Sequence, residues 1–72
     1  MNATTPRARL IRQTHLAEAG AIVATWRQDA CTYETRVEGG RLDAWTLPAS
    51  SRDEAMEQHD GAVRLVGQAA RE

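Results

Sequence analysis

The chain has 72 residues, 42% of them hydrophobic, and a net charge of −1 from nine arginines and ten acids, with no lysine. A single cysteine excludes an intramolecular disulfide, no run reaches the ~18 apolar residues of a membrane span, and the balanced charge does not point to nucleic acid or an anionic membrane. One domain, residues 1–72, is expected, and a chain this short buries only about 60% of the surface it exposes unfolded.

Support from a partner is therefore expected, either a homodimer or a larger protein. Residues 1–6 are mostly small and polar and read as flexible. Nothing in "MNATTPRARLIRQTH" resembles the apolar core of a secretory signal, so the expected location is the cytoplasm. Residues 1–17 hold Arg7, Arg9 and Arg12 without an acid, a charge of +3, whereas residues 18–72 sum to −4. Such a basic arm is suited either to phosphate or to the acidic body of a neighbouring subunit.

Residues 7–19 allow two readings. In the first, Thr5 caps a helix with Pro6 at its first position, Ala8, Ile11, Leu16 and Ala19 share a face, and Gly20 ends it. In the second, "RLIRQTHL" is a strand with Leu10, Arg12, Thr14 and Leu16 on one side. Arginines in the first turn oppose the helix dipole, which counts against the helix.

The segment "GAIVATWRQ" alternates and is rich in β-branched and aromatic types, the pattern of a strand. "QDA" is a short turn, and a second strand runs from Cys31 to Glu38. Gly39 and Gly40 predict a tight hairpin turn. A third strand is expected over Leu42–Leu47, ended by Pro48, which cannot donate to a ladder. Tyr33 and Val37 would share a face with Trp26, Trp45 and Leu47, leaving Thr32, Glu34, Arg36 and Glu38 on the outer face.

The segment "SSRDEAMEQHDGAVRLVGQAARE" predicts a helix. Ser51 and Glu54 have capping-box spacing, and Asp53, Glu54 and Arg71 complement the dipole. Met56, His59, Val63, Val66 and Ala70 form an apolar stripe at spacings of three and four. Asp60 and Arg64 are placed for an i,i+4 pair. Gly61 costs about 1 kcal/mol against Ala and is expected to allow close approach to the sheet. The fold class that follows is α+β: a three-stranded antiparallel meander, four-stranded if residues 7–19 are extended, packed on one C-terminal helix.

Chemistry is sparse in this chain. His15, His59 and Cys31 stand at no metal-ligand spacing such as CxxC or HxxxH, so neither metal nor cofactor is expected. His59 is read as packed against a Trp with one ring nitrogen bonded to backbone. Cys31 lacks a basic neighbour in sequence to activate it and is read as a half-buried hydrophobe. The Gly pair neither opens a helix nor precedes Lys-Ser/Thr, so it is no phosphate loop. Trp26 and Trp45 lie among Glu34, Glu38, Asp43, Arg27, Arg36 and Arg41, whose charges cancel, unlike the basic groove of a single-strand binder. One Trp is assigned to the core, and the other is free to anchor an interface.

The stretches "YETRVEGGRLDAW" and "DEAMEQHDGAVRLV" resemble a group of small proteins of actinobacterial genomes and bacteriophages. The shared pattern falls on Glu34, Thr35, Val37, Gly39, Gly40, Leu42, Asp43, Trp45, Glu54, Ala55, His59 and Val63. It covers about half of the chain, from Thr32 to Val66. Those relatives carry a longer Gly/Pro-rich loop before the strand that begins here at Cys31. The resemblance implies a genomic setting, that of a phage or prophage accessory protein, and no activity.

The function expected is a non-enzymatic protein-interaction module, in a phage setting an inhibitor or modulator of a host factor. Candidate contact residues are Glu34, Arg36, Glu38, Trp45, Arg7, Arg9 and Arg12. The alternatives are a nucleic-acid-binding accessory protein that uses the three N-terminal arginines and a structural subunit of an assembly built around a homodimer.

Overall fold

A computed structural model describes residues 8–71. Arg7 and the expected flexible segment 1–6 lie outside the described residues. Within them the chain forms strand β1 (Arg9–Leu16), a 3₁₀ turn (Ala17–Ala19), β2 (Ala21–Asp29), β3 (Thr32–Glu38), β4 (Thr46–Ala49) and helix α1 (Arg52–Arg71). The strands form one antiparallel sheet in the order β1-β2-β3-β4. Helix α1 packs on one face, and no described element covers the other. The fold is α+β, with the N-terminal segment as a fourth strand.

Residues 9–16 of the segment that allows both helix and strand are extended, and their alternation is broken in the structure. The β1–β2 register shifts between Leu10, which pairs with Trp26, and Arg12, which pairs with Thr25. That bulge turns Ile11 toward the helix side, where it packs near Tyr33, Ala49 and Ala55. Leu10 stays on the open face, not with Arg12, Thr14 and Leu16.

Trp26 is also on the opposite face from the one expected. Its cross-strand partner is Glu34, whereas Val37 pairs with Val23 and Thr35 with Thr25. The helix side therefore collects Ala21, Val23, Thr25, Tyr33, Thr35 and Val37, all buried. Trp45 does pack against the core, together with Leu42 and Leu47.

The third strand lies further along the chain than its alternation predicts. Residues 41–44 are a turn, and β4 starts at Thr46 and contains Pro48. Pro48 is tolerated because β4 is an edge strand, so a missing N–H need not leave a gap in the ladder. The Gly pair accordingly begins a wide connection instead of a two-residue hairpin. Asp43 Oδ1 accepts from the Gly39 N–H at 2.6 Å, and Val37 exchanges backbone bonds with Ala44 N–H and Trp45 C=O. Gly39 and Gly40 have φ of 87° and 74°. A Cβ on either would collide with the backbone carbonyl oxygen of Gly20 or Ala19, so this loop docks directly on the β1–β2 turn.

Helix α1 begins where the capping signals stand. Ser51 Oγ accepts from the Glu54 N–H at 3.1 Å, while the Glu54 carboxylate returns to the N–H and hydroxyl of Ser50 rather than to Ser51. The buried stripe is Ala55, His59, Ala62 and Val66. Met56 and Val63 flank it and Ala70 is exposed, so small alanines, not the larger residues, face the sheet. Asp60 bridges to Arg12 of β1 at 3.2 Å, in place of the expected pairing with Arg64. Gly61 does not mediate close approach, because a Cβ there meets nothing within 4 Å.

Candidate functional site

Two polar arrangements stand out, one buried under the helix and one on the uncovered face of the sheet. The buried one is centred on His59. Its Nε2 lies 2.8 Å from Thr14 Oγ1 and its Nδ1 lies 2.7 Å from Thr25 Oγ1, which is in turn 2.7 Å from Thr35 Oγ1. The imidazole is thus held by hydroxyls from β1 and β2, with β3 one bond further, not by backbone or by a Trp. Along both helix and sheet this network separates two apolar clusters, one around Val23, Val37, Ala62 and Val66 and one around Tyr33, Ala49 and Ala55.

A neutral imidazole has one N–H and one bare nitrogen. With the proton on Nε2, the ring donates to Thr14, Thr25 donates to Nδ1, and Thr35 donates to Thr25. With the proton on Nδ1, the direction of every bond reverses. Both arrangements satisfy the buried ring nitrogens, as a dry interior demands. Burial, then the nearby Arg12 guanidinium, pushes the pKa of His59 below the ordinary histidine value, with Asp60 opposing. A Thr–His pair has the atom types of a nucleophile and its base, but His59, Thr25 and Thr35 are closed to solvent. The geometry is that of a structural tie.

The open face reads in three cross-strand rows. Leu10, Trp26, Glu34 and Pro48 form one; Gln13, Ala24, Arg36 and Thr46 the next; His15, Ile22 and Glu38 the third. Glu34 accepts from Arg36 Nη2 at 2.9 Å and from Gln28 Nε2 at 3.3 Å. Ala24 is only 6% exposed although no element covers it, since its short side chain sits between the longer Gln13 and Arg36. Leu10 is 42% exposed. Ala8, Trp26, Gln28 and Arg36 line a shallow depression of about 230 Å³ there.

Of the candidate contact residues, Glu34, Arg36 and Glu38 share this face. Trp45 does not; it lies in the loop before β4, against the helix-side core. Arg9 stands opposite Arg27 at the start of β1, and Arg12 is engaged by Asp60. Arg9 and Arg12 therefore do not join the open-face patch, and Trp26, which alternation places on the helix side, is the aromatic residue in it. The cross-strand register is the signal that reveals it.

Cys31 is exposed in the two-residue β2–β3 turn, not half-buried at a strand start. Its backbone N–H donates to Asp29 Oδ1 at 2.9 Å, the main cause holding the Asp29 carboxyl below its usual range. Among the described residues no group of three His, Cys, Asp or Glu side chains is positioned to hold a metal, and no helix is long and apolar enough to cross a membrane. No family model matches the chain, and no curated protein or solved structure matches it either.

Proposed function

We propose that this chain is a non-enzymatic protein-interaction module that meets its partner with the open face of the sheet. The observation that carries the reading is Trp26 on an uncovered sheet face, beside exposed Leu10 and within a frame of Glu34, Arg36 and Glu38. An apolar and aromatic centre with a charged surround is the anatomy of a protein–protein contact, in which the aromatic residue anchors and the charges tune specificity and encounter rate. The resemblance to small actinobacterial and phage proteins supports a genomic setting, that of a phage or prophage accessory protein, in which such a module would modulate a host factor.

The nucleic-acid alternative loses support from Arg12, whose charge is already matched by Asp60. The test is affinity capture from an actinobacterial lysate with and without nuclease, using wild-type protein and the Trp26→Ala and Arg36→Glu variants. A protein retained after nuclease treatment and lost with both variants supports the reading. Capture abolished by nuclease, or unchanged in both variants, overturns it.

A further inference from the structure

The wide β3–β4 connection and the C-terminal half of α1 enclose a second apolar feature, distinct from the open sheet face. It is a groove of about 630 Å³ whose walls include Leu42, Ala44, Trp45 and Leu65, with Arg41 and Asp43 at the loop rim. Leu65 is 46% exposed on the outside of the helix. One turn to either side of it, at i−4 and i+4, stand the small residues Gly61 and Ala69, while Gln68 at i+3 adds a polar side chain to the groove and Arg41 donates to the Ala69 carbonyl. A Cβ on Gly61 would meet nothing within 4 Å among the described residues, so the glycine, which costs the helix about 1 kcal/mol against Ala, makes no room for any of them. Ala44 adds a non-glycine residue at φ 73° on the same groove, a strained conformation of the kind that collects at binding sites.

We infer that this groove is the interface of a symmetric homodimer, in which Leu65 and its flanking small residues pack on the same surface of a second copy. A two-fold interface must be self-complementary, and this rim carries both signs two residues apart. Arg41 of one copy faces Asp43 of the other when the loops run antiparallel across the axis. Each side chain keeps capacity for that contact. Arg41 spends Nη1 on the Ala69 carbonyl, and Asp43 spends Oδ1 on the Gly39 N–H, while Nη2 and Oδ2 bond none of the described residues and are offered to the partner copy. Gly61 and Ala69, four residues to either side of Leu65, let two helices approach closely along an i±4 ridge. A core made largely of Ala and Val gains from the extra burial. The open sheet faces stay available, so the dimer would be bivalent for a partner.

Sedimentation equilibrium of the whole chain over a range of concentrations tests this, since mass action makes a dimer concentration-dependent. The wild type is expected to move from monomer to dimer mass, and Leu65→Glu to weaken the association by at least about 100-fold. Leu65 is exposed in the monomer, so its variant should keep the wild-type melting curve at the lowest concentration. Gly61→Gln separates the interface from mere stability. It should stabilise the monomeric helix while weakening the dimer, two effects of opposite sign. A wild type that stays monomeric throughout, or a dimer that tolerates both substitutions, overturns the inference.

Discussion

Thr25 Oγ1 lies 2.7 Å from His59 Nδ1 and 2.7 Å from Thr35 Oγ1, so one buried hydroxyl links the helix to the two central strands. Removing that hydroxyl leaves both a buried ring nitrogen and a buried threonine without a partner. Thr25→Val keeps the shape and is expected to cost about 1–3 kcal/mol, the penalty of orphaned buried polar groups. Thr25→Ser, which keeps the oxygen, should cost less. Urea unfolding midpoints of the two variants at one pH check the difference.

His59 makes stability depend on pH. Its folded pKa lies below the unfolded value of 6.5 because of burial and Arg12. Between those two values the unfolded chain binds more protons than the folded one, so stability rises with pH there. The contribution is complete above pH 6.5 and is lost as pH falls through the folded pKa. Across that window His59→Gln should flatten the pH dependence of the melting temperature while lowering its value at neutral pH. An unchanged slope in that variant would show that another group governs the acid limb.

The network also marks where sequence reading stops. Alternation in "GAIVATWRQ" and "TYETRVE" reveals two faces per strand, and three-four spacing reveals the helix, because each is a local property. Which face the helix covers is not local. Val23 opposite Val37 and Trp26 opposite Glu34 depend on the turn at Ala30 and Cys31 together with the one-residue register shift between Arg27 and Asp29, without which the faces would be exchanged. His59 stands out on its stripe, but its hydroxyl partners come from two strands, with Thr35 of a third one bond further, and carry no spacing signature. In β1 the bulge at Leu10–Arg12 interrupts the alternation that would have identified a strand. Pro48 reads as a strand end in the sequence, because only the strand order shows that β4 lies at the sheet edge.

The two loop glycines should be irreplaceable for a reason other than a tight hairpin. Gly39 and Gly40 combine positive φ with backbone oxygens of the β1–β2 turn where a Cβ would stand. Gly39→Ala and Gly40→Ala are each expected to destabilise by more than about 1 kcal/mol, since strain and collision act together. The reverse change, Ala44→Gly, relieves φ 73° and should be neutral or stabilising. In thermal melts the two glycine variants should fall below the wild type and Ala44→Gly at or above it.

Gly61→Ala should stabilise the monomer. The residue is in the interior of α1, its added methyl meets nothing within 4 Å, and its backbone is helical. Alanine lowers the entropy of the unfolded chain and favours the helix by about 1 kcal/mol. If the glycine instead served close packing of α1 on the sheet, the same change would lower the melting temperature. Measured at a concentration where the chain is monomeric, an increase of several degrees is expected for a domain of this size. Gly67→Ala is the matched control, because its methyl comes no nearer than 3.9 Å to the Arg71 side chain. Similar gains at both positions would identify helix propensity as the cause and leave the empty space over Gly61 as a feature of the molecule's surface, available to a second chain.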